Sequence, residues 1–331
     1  MTAAPGSAHE NRARGLGLAL LSTATFSTSG SFARSLINAG WSAEAAVAAR
    51  VSVAALILAI PTLLALRGQV EVLRRHSRLI LTYGVIVIAG GQICYFNAVE
   101  RLSVGVALLL EYLGTILVVG WLWLRHGQRP RRLTMIGSVV ALSGLVLVVN
   151  PTGAVRIDPV GVLWSLAAAV CLAMYYVLSA KGGEGLPPIV TVGAGMTLAA
   201  GTLILAALAG VLPIRATFGS VDFAGIEVSW LVPVLGLSVI AAVIGYVAGI
   251  ASAPLLGAKL ASFIGLTEVV FAVFFAWLLL GELPAGMQLV GGVLIVAGVV
   301  FVHVDELRSS DLPIDAIGRP EASDTATRRA A

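Results

Sequence analysis

Three charged residues lie deep inside long apolar runs of this sequence, where a charge is costly. They are Arg50, Glu111 and Glu268. A charged side chain at the centre of a bilayer costs roughly 3 kcal/mol or more, so such residues face protein or water and mark functional positions. A carboxyl group in that setting can exchange a proton, and a guanidinium can bind a carboxylate. These three side chains are therefore the first candidates for chemistry.

Depth suggests which of the three belong together. Arg50 and Glu111 each lie about eight residues, or about 12 Å, from the same predicted outer surface. We predict an Arg50–Glu111 ion pair, with separate solvation of the two groups by a cavity as the alternative. No intramembrane cation is an obvious ion-pair partner for Glu268. It is the candidate for proton exchange.

Polar and aromatic side chains supply further candidates for substrate binding. Gln92 and Tyr95, three residues apart, present an amide and a phenol side by side on one helix. Tyr112, Trp164 and Tyr246 add aromatic surface that suits amino acids, nucleosides or drugs alike. Core packing is the alternative for Tyr95.

The first apolar run has an unusually polar face. Thr23, Ser27, Gly30 and Arg34 recur at helical spacing and so share one side. Membrane Ser and Thr often bond within or between helices, for about 0.6 kcal/mol each. The face either does this or lines a cavity.

Composition identifies the elements that must position these residues. The chain is 58% hydrophobic and only 11% charged over 331 residues, with a mean hydropathy of +0.98. A soluble domain of this size needs far more charge, so the sequence predicts an all-α polytopic membrane protein. Ten apolar runs are long enough to cross a bilayer: 15–38, 42–66, 79–99, 103–124, 133–150, 159–180, 188–211, 229–252, 257–280 and 284–304.

The positive charges predict how the helices are oriented. With the N-terminus inside, only Arg101, Arg156 and Arg215 fall in outer loops, and Arg34 and Arg50 lie within helices. The rest of the 21 Lys and Arg residues fall on the cytoplasmic side, as the positive-inside rule requires. We therefore expect a multi-pass protein of the inner cell membrane with both termini cytoplasmic. The net charge of +4 reflects this topology and not nucleic-acid binding.

No metal or cofactor site is expected. Cys94 and Cys171 lie in the third and sixth predicted helices without Cys or His neighbours at ligand spacing, so we interpret both as packing residues. A Walker A segment is absent, so ATP is not the energy source. The histidines lie at or beyond the helix ends, at His9, His76, His126 and His303.

The sequence also contains an internal repeat. A shift of 154 residues lays 102–148 on 256–302 and superposes Trp123 on Trp277, Gly137 on Gly291 and Gly144 on Gly298. Each copy holds five predicted helices, so the second enters the membrane upside down, with a central cavity between the two. The predicted units are a cytoplasmic segment 1–14, repeats 15–150 and 159–305, and a disordered tail 306–331.

Two segments carry a family resemblance. Residues 110–114 (LEYLG), and Thr267-Glu268 followed by 276–282 (AWLLLGE), resemble the signature segments of the drug/metabolite transporter superfamily in its ten-helix EamA-type branch. The first segment is similar to that of threonine- and homoserine-type amino-acid exporters. Members commonly carry Pro at the positions of Thr115 and Val269, so the sequence gives no reason to expect a kink there. The resemblance implies an inverted-repeat fold and export of small metabolites.

We therefore predict a secondary transporter that exports a small amino acid or related zwitterion, with proton antiport through Glu268. Its expected partners are that substrate, protons or another coupling ion, and the lipid bilayer, with a homodimer as a possible assembly. The alternatives are a multidrug exporter of the same fold, an intramembrane enzyme and a lipid-handling factor. The enzyme is disfavoured because no Asp, His or Gly-x-Ser-x-Gly set lies within a helix core.

Overall fold

The computed structural model describes residues 5–66, 70–114, 116–117, 120, 123–124, 132–149, 157–180, 187–265 and 267–309. Nearly all of them are helical. The helices are α1 (Pro5–Asn38), α2 (Ala43–Ala65), α3 (Val70–Arg75), α4 (Ser77–Thr82), α5 (Gly91–Arg101), α6 (Val104–Glu111), α7 (Arg132–Val149), α8 (Pro159–Ala180), α9 (Pro188–Leu208), α10 (Leu231–Leu235), α11 (Gly245–Gly265), α12 (Thr267–Leu280) and α13 (Gly286–Ser309). Two π-helical segments, Tyr83–Gly90 and Gly236–Ile244, join α4 to α5 and α10 to α11.

Several of these helices are long and apolar enough to cross a membrane. Within the described residues, four spans meet both conditions: Ala43–Ala65, Ser77–Arg101, Ile189–Leu208 and Leu231–Gly249. Shorter apolar helices cover Arg132–Val148, Pro159–Met174, Thr267–Leu280 and Gly286–Val302. A backbone in lipid must satisfy its own hydrogen bonds, which explains why apolar runs of this length become helices. Ten crossings remain a prediction.

Predicted segments at the chain ends are partly described. Residues 5–14, assigned to an N-terminal segment, form the first turns of α1. Residues 306–309, assigned to a disordered tail, complete α13. The remainder of that tail, 310–331, lies outside the described residues, as do the predicted cytoplasmic Arg125 and Arg129.

The two π-helical segments occupy equivalent positions in the repeat. A shift of 154 residues lays Tyr83–Gly90 on 237–244, inside Gly236–Ile244. A π segment widens the helix by one residue per turn and often occurs at functional sites. The helices that follow both segments, α5 and α11, carry candidate site residues.

Glycines bring α7 and α13 into close antiparallel contact. A Cβ on Gly137 would lie 2.6 Å from the Gly298 carbonyl oxygen, and a Cβ on Gly144 would lie 2.5 Å from that of Gly291. The reverse contacts, from Gly298 to Gly137 and from Gly291 to Gly144, are equally tight. The repeat superposes Gly137 on Gly291 and Gly144 on Gly298, whereas the contacts join Gly137 to Gly298 and Gly144 to Gly291. This exchange is the pattern of a two-fold interface.

Helix α6 is shorter than predicted. The run 103–124 was expected to form one helix, but α6 ends at Glu111, and Tyr112 and Leu113 form a turn. The Leu113 N–H bonds to the Leu110 carbonyl at 3.2 Å, so the last turn tightens to three-residue spacing. An interruption therefore forms beside Glu111 without a proline.

The boundary predicted between the eighth and ninth helices was also wrong. Residues 253–256 were expected to form a loop, yet α11 runs through them to Gly265 and tolerates Pro254 in its interior. A proline removes one backbone donor and usually kinks a helix, but it does not always end one. Helical residues are described on both sides of position 266, over Gly245–Gly265 and Thr267–Leu280.

A β-hairpin that the sequence analysis missed covers the α1–α2 connection. Strands β1 (Ser220–Phe223) and β2 (Ile226–Ser229) pair antiparallel through Ala224 and Gly225, whose φ values of 57° and 76° fit a two-residue hairpin turn. The Trp41 indole donates to the Thr217 carbonyl at 2.7 Å, just before the hairpin. Strands this short carry little periodic signal.

An ion pair joins two connections that were predicted to lie on the outer side, the one after α5 and the one before α8. Arg101, at the end of α5, pairs with Asp158, at the start of α8, at 3.4 Å. The backbone N–H of Val160 donates to Asp158 at 2.8 Å. That hydrogen bond, followed by the bond from Arg101, lowers the pKa of Asp158 below its usual value.

Candidate substrate and coupling site

Arg50 lies at the centre of the candidate site. It is only 2% exposed, on the face of α2 that packs against α1 and α5. Its Nη1 donates to Ser29 Oγ at 2.5 Å and to Gln92 Oε1 at 2.7 Å. The guanidinium carbon lies 5.8 Å from the centre of the Phe96 ring, within range of a cation–π contact. Three helices of the first half, α1, α2 and α5, thus converge through one side chain and its partners.

The predicted Arg50–Glu111 ion pair is not among the ion pairs formed by the described residues. The hydrogen bonds described for Arg50 go to neutral groups, Ser29 and Gln92. Arg50 still interacts electrostatically with Glu268 and Glu111 over a longer distance. The prediction had only depth to work with, whereas pairing also requires that the two helices turn the right faces toward each other.

Helix α1 uses its hydroxyl groups in two ways. Most bond back to their own helix, for example Ser27 to the Ala24 carbonyl at 2.7 Å and Thr28 to the Thr25 carbonyl at 2.6 Å. Ser29 is different, because it accepts a hydrogen bond from Arg50 of another helix. Ser22 also bonds to another helix, since it donates to the Gly245 carbonyl at 2.7 Å. The hydroxyls of α1 therefore bond both within the helix and between helices. Sequence analysis did not single out Ser29.

Glu268 meets the first half of the chain through Tyr112. The Tyr112 hydroxyl lies 3.0 Å from Glu268 Oε2 and 3.0 Å from the Gly265 carbonyl oxygen. Tyr112 lies at an interruption, directly after the end of α6, and Glu268 lies on α12. Beside them, Thr23 and Thr267 hydroxyls are 3.2 Å apart. The contact joins the two repeat copies at a carboxyl group.

The two cysteines, interpreted from the sequence as packing residues, are neighbours in the structure. The thiols of Cys94 and Cys171 interact, and a Cβ on Gly91, one turn before Cys94, would lie 3.3 Å from Cys171 Cβ. Both thiols are half-buried, and both interact electrostatically with Glu111. Their separation in sequence hid the pair. Within the described part of the chain, no group of three His, Cys, Asp or Glu residues could hold a metal ion.

The predicted aromatic residues divide into two sets. Tyr95 is buried, and its hydroxyl lies where a Cβ on Gly30 would come within 2.7 Å. Tyr246 packs edge-on against Phe26, with ring centres 4.8 Å apart. Both tyrosines interact electrostatically with Arg50 and so belong to the site. Trp164 lies about 10 Å along α8 from Cys171 and packs against the hydrophobic core.

Several polar side chains in the middle of the bundle are partly exposed. Gln92, Glu111, Thr267 and Glu268 are all half-buried, although neighbours such as Arg50 are enclosed by helices. A separate apolar cleft of about 620 Å³ lies between α1 and α11 and is lined by Arg14, Gly17, Leu18, Leu21, Ala251 and Leu255. That cleft shares no lining residue with the polar site.

A second polar network lies at the predicted outer end. Arg34, on α1, pairs with Glu282 at 3.2 Å and donates to the carbonyls of Val99 and Glu100. Glu282 follows Gly281, whose φ of 68° favours glycine in the turn after α12. The network links the two repeat copies on one side of the site.

The long apolar helices, the buried charges and the interruption after α6 are typical of a multi-pass membrane protein of the transporter class. A family model described as the EamA-like transporter family matches residues 13–150 and 159–304. The chain belongs to the EamA-like transporter family, which is part of the drug/metabolite transporter superfamily. Members transport small molecules across membranes, so the family indicates a transporter rather than an enzyme.

Two relatives from Bacillus subtilis (strain 168) are similar over part of their length. Uncharacterized transporter YwfM is 32% identical over 101 residues, which cover 30% of this chain and 34% of YwfM. Uncharacterized transporter YdfC is 27% identical over 172 residues, which cover 51% of this chain and 52% of YdfC. The matches thus span about a third and about half of these relatives.

A solved crystal structure, described only as that of a protein, shares the fold. Its TM-score is 0.55 at 20% identity, over 92% of this chain and 99% of the other. Identity at this level supports the fold alone.

Proposed function

We propose that this chain exports a small zwitterionic metabolite, an amino acid or a related compound, from the cell in exchange for protons. The observation that carries the proposal is the Tyr112–Glu268 contact, which places a protonatable carboxyl where the two repeat copies meet. Arg50 lies in the same cluster and interacts electrostatically with Glu268. Proton and substrate charge can therefore influence one another directly.

The hydrogen bonds around Glu268 suit both of its protonation states. A tyrosine hydroxyl donates one hydrogen bond and can accept others. When Glu268 is ionised, the Tyr112 hydroxyl donates to its carboxylate. When Glu268 is protonated, its carboxyl group donates to the Tyr112 oxygen, and the Tyr112 hydrogen turns to the Gly265 carbonyl. Neither state leaves a buried donor without an acceptor, so the carboxyl can cycle during transport.

The proposed architecture is ten helices in two inverted five-helix repeats around a central cavity. Three observations support it: the equivalent π-helical segments, the reciprocal glycine contacts between α7 and α13, and the antiparallel direction of those two helices. Trp123 and Trp277, which the repeat superposes, are 49% and 50% exposed, as suits interfacial tryptophans. Inverted repeats exchange conformations about a site near the midplane and so provide alternating access.

In this cycle the Arg34–Glu282 network closes the outer side, because it joins the two copies beside the predicted outer loops. Substrate release outward requires that it open. The inner-membrane location, cytoplasmic termini and homodimer remain predictions, which tagged termini and cross-linking in intact cells test.

Proton-driven flux in proteoliposomes tests the proposed function. Purified protein is reconstituted with a pH-sensitive dye inside the vesicles, and a panel of proteinogenic amino acids is offered with and without a pH gradient. The wild type is expected to accumulate at least one of them only with the gradient, with a matching proton movement. Glu268→Gln is expected to abolish the gradient dependence, because an amide cannot take up a proton.

Glu227→Gln is the matched control, because Glu227 is exposed on the β-hairpin. It should behave as the wild type. Unchanged proton coupling in Glu268→Gln would contradict the antiport proposal. Gradient-driven flux of hydrophobic cations in place of amino acids would instead identify a multidrug exporter of the same fold.

A further inference from the structure

Arg50 presents a preorganised but incompletely used set of hydrogen-bond donors. A guanidinium has five N–H groups arranged as a planar fork. The hydrogen bonds described for Arg50 involve Nη1 alone, which reaches Ser29 and Gln92. Among the residues whose side chains are described, none accepts a hydrogen bond from its Nε or Nη2. The edge formed by these two nitrogens is the one that binds a carboxylate through two parallel bonds.

The surroundings fix the orientation of that edge. Ser29 and Gln92 hold Nη1 from two different helices, and the Phe96 ring lies beside the guanidinium. Locking the side chain in advance reduces the entropy that a ligand must lose on binding. Because all three partners are neutral, these contacts orient the guanidinium for a ligand but do not neutralise its charge.

Within the described part of the chain, the charge of Arg50 has no ion-pair partner. Neither ion pair described for the chain's arginines includes it, since Arg34 pairs with Glu282 and Arg101 with Asp158. A cation this deep in a membrane protein is costly unless it is paired. A carboxylate supplied by the ligand would complete the site when substrate binds.

Two carboxyl groups carry their charge close enough to influence Arg50. Glu111 and Glu268 interact electrostatically with Arg50 from beyond ion-pair distance. They attract a cationic amine and repel a second carboxylate. The arrangement therefore favours a ligand with one carboxylate and one ammonium group, and it disfavours dicarboxylates and simple amines.

We propose that the Nε and Nη2 edge of Arg50 binds the carboxylate of the transported zwitterion, with Glu111 attracting its ammonium group. This proposal rests on the proposed function and adds the chemical group that the site recognises. Ser29 and Gln92 act as positioning residues for the guanidinium.

Matched ligand pairs test the proposal. L-leucine and L-leucinamide, L-threonine and L-threoninamide, and the corresponding pairs for the other proteinogenic amino acids differ chiefly in the carboxylate. Binding is measured on the purified full-length protein by ligand-induced thermal stabilisation, and uptake is measured in proteoliposomes. At least one acid is expected to bind roughly 10- to 100-fold more tightly than its amide, the range for hydrogen bonds to a charged group.

Variants assign the discrimination to Arg50. Arg50→Lys keeps the charge but loses the two-pronged geometry, so the preference for the acid should fall roughly 10-fold or more while the amide binds as before. Ser29→Ala retains the guanidinium and should reduce the preference less, which provides a second readout if Arg50→Lys does not fold. Arg101→Lys, at the outer end, is the control and should leave the preference unchanged.

The outcomes separate this proposal from the proposed function. Equal binding of every acid and its amide by the wild type, or an unchanged preference in both Arg50→Lys and Ser29→Ala, overturns the proposal. Proton-coupled uptake of amides or amines would leave transport intact and overturn only the carboxylate site. Conversely, acid-selective binding that depends on Arg50 supports the site even if no gradient drives uptake.

Discussion

The Gly144 contact offers the sharpest test of how the two repeat copies are joined. Gly144→Ala adds a methyl group whose carbon would lie 2.5 Å from the Gly291 carbonyl oxygen and 2.8 Å from the Ile295 nitrogen. An ordinary carbon–oxygen contact is about 3.3 to 3.6 Å, so α7 and α13 must separate by about 1 Å. Because both obstacles are backbone atoms, no side-chain rotation can relieve the clash.

The expected cost follows from two opposing effects. Overpacking a tight contact destabilises by about 1 to 3 kcal/mol. Replacing a helical glycine by alanine recovers up to about 1 kcal/mol of helix propensity. We expect Gly144→Ala to lower the free energy of unfolding by about 1 to 2 kcal/mol. Gly291→Ala should cost a similar amount, since its Cβ would lie 2.7 Å from the Gly144 carbonyl.

The assay is equilibrium unfolding of the purified protein in mixed micelles, followed by circular dichroism. Gly201→Ala is the matched control, because a Cβ on Gly201 of α9 meets no atom within 4 Å. It should be neutral or stabilising by up to about 1 kcal/mol. The double variant Gly144→Ala/Gly291→Ala should cost less than the sum of the single variants, because one separation accommodates both methyl groups. Stability of Gly144→Ala equal to that of Gly201→Ala would refute the close crossing.

Three further outcomes follow from other contacts. Tyr112→Phe removes the hydroxyl beside Glu268 and should slow proton-coupled exchange roughly 10-fold or more in the dye assay; normal exchange would show that the hydrogen bond is dispensable. Diamide should oxidise Cys94 and Cys171 to a disulfide, seen by mass spectrometry as a loss of two hydrogens, and should stop flux; equal inhibition of Cys94→Ser would contradict this. The lowered pKa of Asp158 means that its stabilising contribution is complete above the unfolded-state pKa of about 3.9 and is lost as pH falls through the lower folded value. The melting temperature of the wild type should therefore fall relative to Asp158→Asn between about pH 4 and pH 2, and parallel curves would rule the contribution out.

Many residues of the candidate site could be predicted from residue type alone. Arg50, Glu111 and Glu268 stood out because charges are rare in apolar runs, and this inference needed no knowledge of packing. Gln92 and Tyr246 were also chosen from the sequence, and both lie near Arg50. The family followed from short motifs.

Which of these side chains contact each other could not be predicted in the same way. Each residue along a helix changes depth by about 1.5 Å but turns the side chain by about 100°, so matched depth does not imply facing side chains. Arg50 and Glu111 illustrate this, since Arg50 faces Ser29 and Gln92 instead. The proximity of Cys94 and Cys171 was missed for the same reason, because α5 and α8 are separated in sequence and meet only through packing.

The sequence by itself therefore determined the membrane class, the duplication and the depth of the buried charges, because these depend on composition and linear spacing. The tertiary structure alone decided that Tyr112 meets Glu268, that α6 ends beside Glu111, and that the hydrogen bonds described for Arg50 involve Nη1 alone. These features depend on helix rotation and close approach, which are fixed by the fit of side chains across helices far apart in the chain.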